Sequence, residues 1–464
     1  MIRSFLVNTN LRTVALLTSL LAVLNSFPLK SPAADATFSG QYTELTKKIL
    51  LQGIELERFS LNYRKEVAKP PRFRTLRYLG AQEGAASCLL AFEIGAMKQF
   101  DNGRRNPLTL DTAKLSNALN AALTGSIIGA SSSTFELSSN VLHSFKNGRR
   151  GFDSRSANRF VSSHLKEVDK LLSQRAALVD ANQGDPAYSR MVAEGRVLQQ
   201  MRNSFVNEYS QFNIDANRFL ALQNSFFLLN TAYNTLGAVG AGLGKQGITK
   251  PAANGPSNIL FIVSGAIAGA TPTLSYLSGK LAEHRSRRAL AREIGSDHIF
   301  DPESFAKACA ELHNLSGAEP GSLIPSLPQT ERFALYSESS SRFQKQLDNE
   351  TTMVRRIDKV ALGNAFAGPA IGGLLMTQGV IGTFGYYHYG ASRLPRLRKE
   401  FDQLYKGTLV GTVGAGMNVV GNAAFLLGTL AYEHKLSKEK RLPAQLIAER
   451  LNYLDEVEKT VKSM

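Results

Sequence analysis

The chain has 464 residues, a formal net charge of +16 and a mean hydropathy of −0.13. That length is ample for a packed core, so the class must come from pattern rather than size. Two cysteines exclude a disulfide scaffold, and a basic balance without an RNA- or DNA-binding motif points to anionic lipid headgroups rather than nucleic acid.

Residues 1–36 read as a secretory leader. Arg3 and Arg12 flank the start of an apolar run, Val14–Leu24, and Ala34-Asp35-Ala36 supplies the small residues of a cleavage site before Thr37. The long polar spacer Pro28–Pro32 suits a retained signal anchor equally. Either way the expected destination is a membrane on the secretory route, the inner membrane or envelope if the source is prokaryotic. Residues 37–78 follow as an amphipathic helical lead-in.

Three units then repeat one hydropathy pattern at a period of roughly 140 residues. Each is a pair of Gly/Ala-rich stretches with little charge: Leu79–Met97 with Leu115–Phe135, Phe226–Leu243 with Ile259–Leu277, and Val360–Tyr389 with Gly407–Tyr432. A spanning helix needs about 20 mostly apolar residues. Gln223–Gly244, Pro251–Gly279, Val360–Ala391 and Gly407–Tyr432 meet this with no charged residue. The first unit is weaker, because Glu83 and Glu93 interrupt its first arm and Ser, Thr and Asn crowd its second, so four or six spans remain open. The expected fold is all-α: a polytopic membrane protein of three tandem helical-hairpin repeats at 79–145, 223–279 and 360–432. Extramembrane helices occupy 146–222, 280–359 and a C-terminal amphipathic helix at 433–464.

Glycines at four-residue spacing, Gly125/Gly129, Gly265/Gly269, Gly368/Gly372 and Gly407/Gly411, mark helix-packing faces, since close backbone approach supplies contact where lipid gives little hydrophobic drive. The expected contact between the second and third hairpins runs through Gly265/Gly269 and Gly407/Gly411. A soluble all-α bundle is the competing reading. Between hairpins, Val161, Leu165, Val168, Leu172 and Val179, then Leu198, Met201, Phe205, Tyr209 and Phe212, form apolar stripes, as do Ile447, Leu451, Leu454, Val457 and Val461. Arg175 breaks the first. These stripes are expected to build a helical bundle on one side of the apolar slab, open to a protein partner or a second copy. Residues 295–329 carry Pro302, Gly317, Pro320, Gly321, Pro325 and Pro328 and read as a loop-rich insertion.

Orientation signals conflict. A cleaved leader leaves Lys98–Lys114, Gly244–Ser257 and Gly390–Lys406 in the cytoplasm, yet the opposite flanks are at least as basic, and long segments translocate largely regardless of charge.

No motif for catalysis, metal or cofactor stands up. Gly237–Lys245 fails as a phosphate loop: Val239 replaces its first Gly and Gln246 its hydroxyl ligand. His143, His284 and His434 lack nearby donors at ligand spacing. Three tandem two-helix units resemble mitochondrial carriers in outline only, because the carrier hallmark Pro-x-Asp/Glu-x-x-Lys/Arg is missing from all three, and no family follows.

Glu83 and Glu93 are the acidic residues inside a candidate span and so form the possible intramembrane polar site. Their spacing of about 15 Å along a helix argues against one shared site, and Glu83 is expected to meet Arg77 or another flanking base. The expected function is structural or scaffolding, non-enzymatic and without a cofactor. The alternative is an ion or solute conduit between the hairpins, with Glu93, Asn230, Asn234 and Asn418 as polar lining and Pro272 and Pro369 as helix interruptions.

Overall fold

A computed structural model describes residues 35–67, 74–295, 302–317, 369–390, 394–438 and 443–463. The leader reading at 1–34, the insertion positions Pro320, Gly321, Pro325 and Pro328, and residues 360–368 of the third unit, Gly368 included, lie outside them. The described residues form helices without a strand: α1 (Asp35–Val67), α2 (Arg74–Arg105), α3 (Thr112–Arg149), α4 (Ser154–Asp180), α5 (Tyr188–Gly247), α6 (Asn254–Glu293), α7 (Pro302–Gly317), α8 (369–389), α9 (Leu394–Lys438) and α10 (Pro443–Ser463). The chain is all-α. Its last turn of α8, Gly385–Tyr389, is a π-helix.

Local chemistry sets several ends. Asp111 accepts from the Lys114 amide at 3.0 Å before α3, and Asp153 accepts from the Arg155 and Ser156 amides at 3.0 and 3.1 Å before α4. Between α3 and α4 the chain reverses at Gly151, whose φ of +76° suits a residue without Cβ, while the Phe152 amide returns to the Asn147 carbonyl at 2.9 Å.

The helices sort into two regions. In the first, α1, α4, the N-terminal half of α5, α7 and α10 bury their apolar stripes against one another. One core joins Leu50, Ile54 and Leu61 of α1 to Val197 and Leu198 of α5, Leu312 of α7, and Ile447 and Leu454 of α10. A second joins Tyr63, Val161, Leu165, Phe205, Tyr209 and Phe212. Arg175, which interrupts the α4 stripe, is buried here and satisfied: its Nε donates to Thr46 Oγ1 at 3.0 Å, and its Nη2 donates to Tyr42 and, at 2.5 Å, to Glu194. Burial, and then the Glu194 carboxylate, drive the Tyr42 phenol well above its ordinary pKa, so it stays a donor to that carboxylate.

In the second region, neighbouring helices run antiparallel in a cyclic order: α2, α3, the C-terminal half of α5, α6, α8, α9, and back to α2. Gly95 meets Ala118 where α2 packs on α3, and Gly237 meets Ser126 where α5 packs on α3. Ser257 of α6 donates to the Gly240 carbonyl of α5 at 2.7 Å. The α9 to α2 seam closes the ring, with Phe401 against Gly103 and the Arg104 guanidinium 4.1 Å from the Tyr405 ring centre. Leu115, Ala118, Leu119, Ala122 and Ala241 pack with Phe92 and Phe261 inside, the two rings 6.3 Å apart.

Outside, the ring is apolar. Val420 is 70% exposed and Leu427 66%, with Ile259, Val263, Leu274, Val380 and Leu409 also exposed. Two of its helices, over Pro251–Glu293 and Pro395–Ala431, are long and apolar enough to cross a membrane, and only 17% of each apolar window is buried. The core helix of a soluble protein buries most of such a window.

Four expectations are corrected. The insertion at 295–329 is not simply loop: α7 occupies Pro302–Gly317, because Pro302 suits a first helical position, Glu303 complements the helix dipole, and Ala308 and Leu312 fall on one face and dock on the bundle. The α6 face with Gly265 and Gly269 packs on Gly372 and Met376 of α8, not on Gly407 and Gly411. An ideal Cβ on Gly265 would sit 2.6 Å from the Met376 nitrogen, so that approach excludes any side chain. Glu83 does not meet Arg77, as described below. The expected boundaries at 222/223 and 279/280 fall inside α5 and α6, which run unbroken past Pro272 from one region to the other.

Candidate functional site

On α2, Phe92 points into the ring interior, and Glu93, one residue on, turns about 100° to the seam between α8 and α9. The Glu93 carboxylate is 1% exposed, and its Oε2 accepts from Gln378 Nε2 at 2.8 Å. Gly411 of α9 makes the space: a Cβ there would lie 2.6 Å from Glu93 Oε2. No cation pairs with this carboxylate among the described residues. An acid so enclosed and opposed only by a neutral amide is held at a cost that only a function or tight packing offsets.

Glu83 stands apart. Its Oε2 is buried without a hydrogen-bond partner. The base expected for it, Arg77, instead donates to Glu136 from Nε at 3.0 Å and Nη2 at 2.5 Å, and Arg74 Nε reaches the same carboxylate at 2.9 Å. Glu136 lies one residue beyond the apolar stretch Leu115–Phe135, and the Arg74/Arg77 pair one helix away is the signal that could have marked it. The two glutamates of α2 are therefore separate groups.

The asparagines do not gather on Glu93 either. Asn230 donates to Tyr78 at 2.9 Å and to Ser133 at 2.6 Å, and Asn234 faces Gly129, all on the seam of α5 with α2 and α3. Asn418 accepts from Asn422 on its own helix at 3.3 Å. Of the packing glycines, Gly125 faces Ala85 and Cys88, Gly129 faces Asn234, Gly269 faces Gly372, and Gly407 faces Gln378 and Ile381 of the preceding helix. Gln378 and Gly411 escaped notice as site residues because one is an uncharged amide in an apolar run and the other read as a packing glycine.

Comparison with known protein families, curated proteins and solved structures finds no match to this chain. The chemistry therefore rests on geometry. Among the described residues no group of three His, Cys, Asp or Glu converges as a metal site. One buried carboxylate with an amide partner is able to hold and release a proton; among the described residues no second titratable group is bonded to it to relay one.

Proposed function

We propose that the chain is a polytopic membrane protein whose three hairpin repeats, at 79–145, 223–279 and 360–432, lie in the bilayer as the six-helix ring. The bundle of α1, α4, α5, α7 and α10 stands at one membrane surface as a non-catalytic scaffold, and the net charge of +16 favours anionic headgroups. The observation that carries this reading is the ring's outer face, where Val420, Leu427, Leu274 and Val380 are exposed together. Hydrocarbon is the solvent such a face suits. Packing of Phe92, Phe261 and the surrounding Ala and Leu residues inside the ring favours a scaffold over an open path.

The test is extraction of the expressed protein with alkaline carbonate, followed by reconstitution in liposomes. Retention in the pellet with no saturable flux is the expected result; release into the wash would overturn the membrane reading, and saturable ion or solute flux would overturn the scaffold.

The conduit reading keeps one specific support, the enclosed Glu93 on Gln378. If it holds, liposome flux depends on pH, and Glu93→Gln abolishes that dependence.

A further inference from the structure

Where α5 leaves the bundle and enters the ring, it forms one wall of a cavity of about 530 Å³ with the start of α4 and the tail of α6. The volume is that of a small-molecule site. Asn213, Asn217 and Asn224 project from one face of α5, at steps of four and seven residues, and Asn158 of α4 joins them. Among the described residues no Asp or Glu lines the cavity.

Part of this amide set is already engaged. Asn158 Oδ1 accepts from Tyr209 at 2.8 Å and from Asn213 at 2.9 Å. Asn217 Nδ2 donates to Asn213 Oδ1 at 2.7 Å and to Ser154 at 3.1 Å, and Asn224 Oδ1 accepts from Asn140 at 2.8 Å. These bonds fix the side chains. They leave Asn158 Nδ2, Asn224 Nδ2 and Asn217 Oδ1 without a partner among the described residues, which is two donors and one acceptor for an occupant.

The cation beside them is also uncommitted. On the tail of α6, Glu283 takes Lys280 at 3.0 Å, Arg287 at 3.1 Å and Arg218 of α5 at 3.6 Å. Arg285 lines the cavity and pairs with no carboxylate among the described residues. A guanidinium next to fixed neutral amides matches a phosphate carrying hydroxyls: the fork takes the phosphate oxygens, and the amides donate to and accept from the hydroxyls.

The cavity's position chooses the source. Leu281, 61% exposed, and Leu220 form its apolar rim, and Leu274, Tyr276 and Leu277 continue the exposed face along α6. An exposed tyrosine between an apolar face and an arginine cluster is the pattern of a membrane interface.

We propose that this cavity binds a phosphorylated polyol, the headgroup of an anionic phospholipid, with Arg285 on the phosphate and Asn158, Asn217 and Asn224 on the hydroxyls. The choice of lipid as source rests on the membrane reading; the recognition chemistry does not.

Native mass spectrometry of the full chain in mild detergent tests it, with dihexanoyl phosphatidylglycerol, dihexanoyl phosphatidylcholine and soluble glycerophosphoglycerol as separate probes. Saturable one-to-one binding of the phosphatidylglycerol, well above that of the phosphatidylcholine, is expected. Arg285→Gln and Asn217→Ala should each weaken it by about tenfold, while Arg288→Gln, on the same exposed tail, leaves it within about twofold. Equal binding of glycerophosphoglycerol would support the site and assign it to a free ligand, and that result stands whether or not the chain pellets with membranes. Absence of binding by both anionic probes, or equal losses in Arg285→Gln and Arg288→Gln, would overturn the proposal. Circular dichroism of the variants separates lost binding from lost folding.

Discussion

The bundle and the ring are both built of packed helices, yet they invert each other's surfaces. In the bundle Leu50, Ile54, Tyr209 and Leu454 are inside, together with the paired Arg175 and Glu194, and Lys48, Lys170 and Arg196 are outside. In the ring Gly237, Gly240, Ala241 and Asn230 are inside, and Leu228 and Val239 of the same helix face out. Helix α5 carries both arrangements over one unbroken 60-residue length. The lesson is that helix formation does not choose the environment: the size and polarity of the inward residues do, because water rewards hiding large apolar groups, whereas in lipid only close backbone contact and polar seams favour association.

The comparison breaks most severely at the bundle's buried ion pair. Arg175→Leu strands the Glu194 carboxylate in a dry core and should cost about 3 to 5 kcal/mol, read as lost hydrogen-exchange protection in α1 and α4 while the ring amides stay protected. Equal loss in both regions would mean that they do not unfold separately.

The ring should fail through its outside instead. Val420→Arg leaves every interior contact in place yet should cost about 2.5 to 3.5 kcal/mol of membrane insertion, measured as the inserted fraction in a translocation assay. An arginine at an exposed bundle position such as Lys170 should have no comparable effect, and similar insertion for both variants would sink the distinction.

A smaller effect tests packing by absence. Gly265→Leu drives a side chain into the Gly372–Met376 backbone and should cost about 1 to 3 kcal/mol, seen as increased protease sensitivity of α8 and α9 with α1 unaffected.

The smallest effect sharpens the bundle's edge. Asp153→Ala removes a cap from α4 and should cost about 1 kcal/mol by denaturant titration of the bundle. Burial opposes ionisation of Asp153, but hydrogen bonds from Ser156 and the Arg155 amide outweigh it and hold the carboxyl below the usual aspartate range. Its contribution is therefore complete above the unfolded value near about pH 4 and lost as pH falls through the lower folded value. Asp153→Asn, which keeps a cap, should flatten that acid limb and leave neutral stability within a few tenths of a kcal/mol. A limb that persists in Asp153→Asn would assign it to another carboxylate.

The sequence by itself determined helicity and the two kinds of helix surface. Both follow from residue spacing: stripes such as Val161–Val168 repeat at helical period, and the uncharged runs after Pro251 and Gly407 exceed the length of a spanning segment. It also singled out Glu93, since a charge in an apolar run is visible without coordinates. Only the tertiary structure decided which surfaces meet. Spacing along one helix says nothing about the partner helix, so Gly265 found Gly372 rather than Gly407, Glu136 rather than Glu83 took Arg77, and Gln378 became the partner of Glu93 across 285 residues of chain. The amide-lined cavity belongs wholly to the second class: Asn158, Asn217 and Arg285 are ordinary exposed-type residues in sequence, and only the crossing of α4, α5 and α6 brings their unspent hydrogen-bonding groups together.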